Sequence, residues 1–366
     1  MTFPPIYFYV PETSLIENLP EKVNLFWPWL NGKIKNASAG TGAYTWTLQT
    51  YLNLNKIGFP CKLASTLPEV GVLISHRSLL PSNLKPGKQL LLICLQGDKI
   101  RHPFAQIHVV QNPRQTTHRH PFLSCWRDYF IPFWTQSGLV PRNPARGDLF
   151  QNIAFFGRDR TNLAPELRQH QWLQKVNELG LNFKIVNQPE LWCNYSMIDA
   201  VLAVRNFRRR TLYPWKPASK LYNAWLAGVP AILGPESAYR AERKSELDYL
   251  EVTSIDETIG AITRLRDDLE LRQRMIENAN FRAQGIKHEK ITQHWCEFLS
   301  KVVPAAYQEW HGFSRIEQLR LLSISRMAFE YYKINRSLAL SKLRINRVFE
   351  KKFFYGEDIY IHNEYF

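Results

Sequence analysis

The chain has 366 residues, 45% hydrophobic and 22% charged, so it can bury the cores of two ordinary domains and carries no signature of disorder. A formal net charge of +15 points to an anionic partner: nucleotide phosphates, an acidic membrane surface or nucleic acid. Five scattered cysteines without a Cys-x-x-Cys pair indicate neither a disulfide framework nor a zinc site, and fit a reducing cytosol. The opening MTFPPIYFYVPETS lacks the basic start and apolar core of a secretory leader. No apolar run approaches the roughly 20 residues that span a bilayer; residues 90–95 are the clearest and are far too short.

Residues 6–10 read as a strand and 26–30, FWPWL, as a packing segment. Gly40-Thr41-Gly42 is a flexible turn ahead of a helix over 43–57, which Gly58 ends; 61–64 is a strand. Three apolar runs follow at 71–75, 89–95 and 105–110, each ending in polar residues. That is what an open parallel sheet presents to a ligand crevice. The aromatic, proline- and arginine-rich stretch 118–148 reads as the crossover to a second domain. That domain opens with a strand over 152–159 ending in Gly157-Arg158, then a helix over 165–179 and strands over 182–186 and 200–205. The run RNFRRR, 205–210, is either a solvated face or an anion-binding end of a crevice strand.

Residues 216–236, KPASKLYNAWLAGVPAILGPE, organise the second half. Ser219 is expected to cap a short helix whose apolar face is Leu221, Ala224, Trp225 and Ala227. Gly228 stops it in the left-handed conformation, 229–233 is a buried strand, and Gly234-Pro235 breaks that strand. The first turn of such a helix offers free N–H groups and a positive dipole, to which Lys220 adds a full charge, making a seat for phosphate. Further on, Ser254 and Glu257 form a capping box, and Ile255, Ile259, Ile262, Leu265 and Leu269 recur at helical spacing. Residues 291–303 read as a last helix.

The motif resembles the donor-binding segment of retaining GT-B glycosyltransferases of the family 4-like group, a helix patterned P-S-K-x-x-E-x-x-A-x-G-x-P-V-I. Ser219, Lys220, Ala227, Gly228, Pro230 and Ile232 fall on that pattern. The likeness is specific over about 150–303, loose over 36–112 and absent after 305. It implies two Rossmann-like α/β domains facing across a cleft, an acceptor domain over 1–145 and a donor domain over 146–303. It also implies sugar transfer from a nucleotide diphosphate sugar to a glycan or lipid-linked acceptor, with retention of configuration, no cofactor and no metal. Lys220 and Arg158 would stabilise the departing diphosphate. Gly157, Ser219, Asn223, Gly234 and Glu236 would bind the donor, Asn223 through the ribose. Gly40, Gly42 and Gln96 would lie near the sugar or acceptor. No Asp-x-Asp motif occurs, in agreement.

Several family residues are replaced: the sugar-positioning histidine by Gln96, the second diphosphate cation by Leu163, and the paired glutamates by Trp215 and Asn223. Arg160 or Arg208 to Arg210 could stand in for the missing cation. His76, His108, His118 and His120 are other candidates for the sugar-positioning histidine, with a surface or structural role the default for each. The departures keep a second reading open, a GT-B protein that binds nucleotide or polysaccharide without catalysis. Nucleic-acid binding is the least favoured, because no recognition module is legible.

The tail differs in composition. Over 314–352, ten basic residues accompany three acidic ones, with Leu319, Leu322, Met327, Phe329, Leu338, Leu340 and Ile345 interspersed. A basic amphipathic helical extension over 304–366 can lie on an anionic membrane, dock on the body or bind a partner. The expected location is cytoplasmic, peripheral on the inner membrane face if the tail binds lipid.

Overall fold

The computed structural model describes residues 3–33, 40–116, 127–207 and 213–354. His118, His120, Cys125 and Arg208 to Arg210 lie outside the described residues, as do the side chains of Arg336 and of 338–352.

Two parallel sheets form the two halves. The first contains β1 (Ile6–Tyr9), β2 (Lys62–Ala64), β3 (Gly71–His76), β4 (Leu90–Leu95), β5 (Ile107–Val110) and β6 (Arg127–Phe130), in the order β2-β1-β3-β4-β5-β6. The second contains β7 (Asn152–Phe156), β8 (Asn182–Val186), β9 (Ala200–Ala203), β10 (Ala231–Leu233) and β11 (Leu250–Glu251), in the order β11-β10-β9-β7-β8. Every strand of β3, β4, β5, β7, β9 and β10 is buried along its length, as apolar strands covered by helices on both faces must be. With its helical C-terminal region, this is the two-domain GT-B architecture that the motif led us to expect.

The last helices return to the first half. Helix His288–Glu297, a π-helical turn Phe298–Val302 and helix Val303–Gly312 bury Ile291, Trp295, Phe298, Leu299, Val303 and Trp310 in the core beneath the first sheet. Tyr129 and Phe298 pack with ring centroids 4.6 Å apart. The helix read over 291–303 therefore begins earlier and runs further. After it, helix Arg315–Phe354 continues for 40 residues.

Several local expectations are corrected. Ser219 does not cap the motif helix, Ser219–Ala227: Ala218 is the N-cap residue, at φ −82° and ψ 20°. Ser219 is itself helical, so its hydroxyl cannot reach back over the first turn. Gly228 closes the helix at φ 66° as expected. The helix read over 43–57 starts at Thr41 and contains a π-helical turn, Thr45–Gln49. There Thr47 and Thr50 turn their hydroxyls back onto the carbonyls of Ala43 and Trp46, a habit that bends helices. The segment 165–179 splits into a 3-10 turn Pro165–Arg168 and helix His170–Glu178, because Gln169 between them is extended. Only half of the capping box forms as drawn: Ser254 Oγ accepts from Glu257 N, while Glu257 returns to Thr253 N, not Ser254 N. Leu269 is 38% exposed, since a new helix starts there and turns it outward.

Candidate active site

The C-terminal ends of both sheets face one cleft, a cavity of about 1340 Å³ walled by both halves. From the first half come Gly40, Thr41, Gly42, Trp46, His76 and the turn Gly97–Lys99; from the second, the turns after β7, β8 and β9 and the first turn of the motif helix. Ligands bind such parallel sheets in this crevice.

The second half supplies cations. Gly157, directly after β7, takes φ 139°, where a side chain would be strained. A Cβ there would lie 3.4 Å from the Phe155 ring and 3.8 Å from Lys220 Nζ. Both are ordinary contact distances, so it is the backbone conformation that calls for glycine here, and the turn it makes lies against the Lys220 ammonium. Lys220 Nζ lies 5.3 Å from the Phe155 ring centroid and forms no ion pair among the described residues. Burial, and then the Arg205 guanidinium, push its pKa down to about 7 against the pull of Glu236. Arg158 follows Gly157, is exposed, lines the cavity and has no ion-pair partner among the described residues. Arg160 lines the same wall. Leu163, at the family's second cation position, is 2% exposed and belongs to the core.

Arg205, just past β9, is a cleft residue that in sequence stands out only as the start of a cationic run. It bonds Asn162, lies over the Tyr213 ring and pairs with Glu236 at 3.4 Å. Glu236 is 3% exposed and stands behind the cavity wall, its carboxylate turned to Arg205. Gly234 is also behind the wall, where a Cβ would press to 3.2 Å from Val204. Ser219 and Asn223 line the cavity. Asn223 is already engaged: its Oδ1 accepts from Gln136 N at 2.9 Å.

On the opposite wall the structure brings forward His76, at the end of β3, rather than Gln96. Gln96 is 1% exposed and off the wall; its Nε2 donates to Lys99 O at 3.2 Å. His76 Nδ1 accepts from Ser78 N at 3.1 Å, which leaves the imidazole proton on Nε2. Burial pushes its pKa down to about 4, so the ring is a neutral donor at pH 7. Gly97 crosses so close that a Cβ would collide with His76 Nε2. Nothing local distinguishes His76 from His108, which is wholly buried within β5.

Polar bonds tie the halves beside the cleft. Lys216 pairs with Asp98, and Gln111 Nε2 donates to both Asp98 Oδ1 (3.0 Å) and Trp215 O (2.9 Å). Asn112 Nδ2 donates to Lys216 O (3.0 Å) and Ser237 Oγ (2.9 Å). The second-half wall is therefore cationic and partly unneutralised, and the first-half wall combines aromatic rings and a neutral imidazole donor with Arg77, Asp98 and Lys99. Such a cleft can hold a diphosphate on one side and an uncharged hydroxylated group on the other.

No family model and no curated protein matches the sequence. Among solved structures, the chain is similar to a sucrose-phosphate synthase from Thermosynechococcus elongatus (14% identity, TM-score 0.46, covering 78% of this chain and 80% of that one). It is similar to Anabaena HepE in complex with UDP and glucose (12% identity, TM-score 0.45, 81% and 99%). It is also similar to AviGT4, a glycosyltransferase involved in avilamycin A biosynthesis (13% identity, TM-score 0.43, 72% and 92%).

Proposed function

We propose that the protein is a glycosyltransferase that moves a sugar from a nucleotide diphosphate sugar to a glycan or lipid-linked acceptor, with retention of configuration. The observation that carries this reading is Lys220, a half-buried ammonium with no counter-ion among the described residues, facing the Gly157 turn at the mouth of a two-walled cleft. A departing diphosphate would supply the missing anion. Lys220 and Arg158 would meet its growing negative charge, which is electrostatic stabilisation of the transition state. The backbone of the Gly157 turn and Ser219 would hold the phosphates, and Asn223 would reach the ribose. The sugar would lie toward Gly40, Gly42 and His76, and the acceptor would enter over the first half.

A thermal-shift screen against UDP-, GDP-, ADP- and TDP-sugars tests donor binding. At about 100 times Kd a ligand bound only by the native state adds about 2.7 kcal/mol of stability. One base should raise the melting temperature and the others should not; no shift with any of the four would count against a nucleotide-sugar site.

The pKa of Lys220 adds a pH signature. The free lysine loses its proton as pH rises through about 7. A bound diphosphate favours the charged form and raises that pKa, so binding above neutrality takes up a proton. Affinity should be greatest below pH 7 and weaken above it by at most about tenfold per unit. Calorimetry at pH 8 in buffers of different ionisation enthalpy would read the uptake directly; heats independent of buffer would remove Lys220 from the phosphate site.

A non-catalytic nucleotide- or polysaccharide-binding role is the second reading. It is favoured by the burial of Leu163 in the core and the prior engagement of Asn223. Release of nucleotide diphosphate from the donor that stabilises the protein separates the two.

A further inference from the structure

The helix Arg315–Phe354 has two unlike faces. One is docked. Gln318 is fully buried, and its Nε2 donates to Trp310 O (2.8 Å) and Lys88 O (3.3 Å). Leu322 enters the core beneath the first sheet, and Ser325, Ala328 and Phe329 continue the buried side. The other face is apolar and open. Ile316 is 80% exposed, Leu319 48%, Met327 60% and Ile334 58%. At about 100° per residue these four fall within an arc of about 80°, opposite the docked residues. Single exposed apolar residues are ordinary; four aligned over five turns of one helix make a stripe. Exposed Arg315, Arg326 and Lys333 run along one flank and Arg320 along the other. Glu330 lies in the same arc with its charge paired to Arg326 at 2.6 Å.

We propose that this stripe is the surface by which the protein lies on an anionic lipid bilayer. An apolar face flanked by cations sinks to the level of the acyl boundary while the flanks meet anionic headgroups. The net charge of +15, and ten basic against three acidic residues over 314–352, select the anionic surface. A second copy of the chain would bring like charge against the same flanks. The inference does not rest on sugar transfer. The helix is anchored at Lys88, ahead of β4, whereas the cleft is lined by Gly97 to Lys99 at that strand's far end. Bilayer contact therefore leaves the cleft open.

The test is co-sedimentation of the full chain with vesicles of phosphatidylcholine alone, or with about one-third phosphatidylglycerol. The wild type should pellet with the anionic vesicles and not with the neutral ones. The combined variant Ile316→Glu, Met327→Glu, Ile334→Glu should lower the bound fraction about tenfold or more at an unchanged melting temperature, because the three positions are exposed. The variant Arg315→Gln, Arg320→Gln, Lys333→Gln keeps the stripe and should also lose anionic binding. Failure of the wild type to pellet with anionic vesicles overturns the proposal, as does wild-type binding by the glutamate variant. A dimer by light scattering that the glutamate variant dissolves would assign the stripe to a second copy instead.

Discussion

Replacing Lys220 by alanine is expected to lower turnover by about 10²–10³-fold or more, while the melting temperature stays constant or rises. A structural lysine would behave in the opposite way. Lys220 is half-buried in the cleft wall, beside Arg205 and over the Phe155 ring, with no carboxylate in bonding distance among the described residues. Its proton is bound with an ordinary pKa of 10.5 in the unfolded chain and about 7 in the folded one. Between those values the unfolded state binds more protons, so stability rises with pH; below about 7 the folded state carries the full cost of the buried charge. Removing the ammonium removes that cost and also the charge that the proposed diphosphate site requires. Lys220→Met is the stricter variant, because it keeps an apolar stem against Phe155. Both should lose turnover and the pH dependence of nucleotide binding together. A variant with wild-type turnover, or one that loses activity only because it unfolds, would sink the assignment.

The frame of this site was legible in the chain, and most of its wiring was not. The apolar runs of β3, β4 and β5 announce a buried parallel sheet, and Gly228 announces the end of the motif helix, because each follows from spacing within a few residues. Lys220 and Arg158 could be picked out as cations set in turns after strands or at helix starts. The fate of Glu236 could not. Its carboxylate answers Arg205, a buried guanidinium 31 residues earlier, and so leaves the cavity wall. Asp98 and Lys216 meet across 118 residues of chain, and Gln136 satisfies Asn223 across 87. No local pattern encodes such partners: Arg205 meets Glu236 when β9 and β10 pair, and the others meet when the second half closes on the residues before it. His76 could not be singled out among the candidate histidines for the same reason. Its role as a neutral donor follows from Ser78 bonding its Nδ1 and from Gly97 crossing its face. Both are facts of the folded turns rather than of the histidine's neighbours in sequence.

Asp199→Ala is expected to destabilise the second half by about 3–5 kcal/mol, the cost of leaving buried cations without their counter-ion. Asp199 precedes β9, is 2% exposed, and gathers five bonds. Arg142 Nε donates at 2.9 Å, Arg146 through Nε and Nη2 at 2.9 and 2.7 Å, and the backbone N–H groups of Gln151 and Asn152 at 2.9 Å each. One carboxylate thus fastens the crossover segment to the starts of β7 and β9, at the sheet end remote from the cleft. Burial alone would raise its pKa. The bonds from Arg146, Gln151, Asn152 and Arg142 outweigh burial and hold it below the ordinary value of 3.8. Its contribution is therefore complete above the unfolded pKa and disappears as pH falls through the folded one. Alanine leaves two guanidinium groups and two N–H groups facing a void, whereas asparagine fills the space but offers one acceptor oxygen where five bonds are made. For a half of this size the loss corresponds to a fall of roughly 10 °C in melting temperature. Lys220 and the Gly157 turn are untouched, so turnover per folded molecule, read at low temperature, should remain near wild type. Denaturant unfolding at pH 7 and again near pH 2 separates the outcomes. A large deficit at neutrality that shrinks in acid is expected, and a deficit below about 1 kcal/mol at pH 7 would mean that these five bonds are not what joins the crossover to the second sheet.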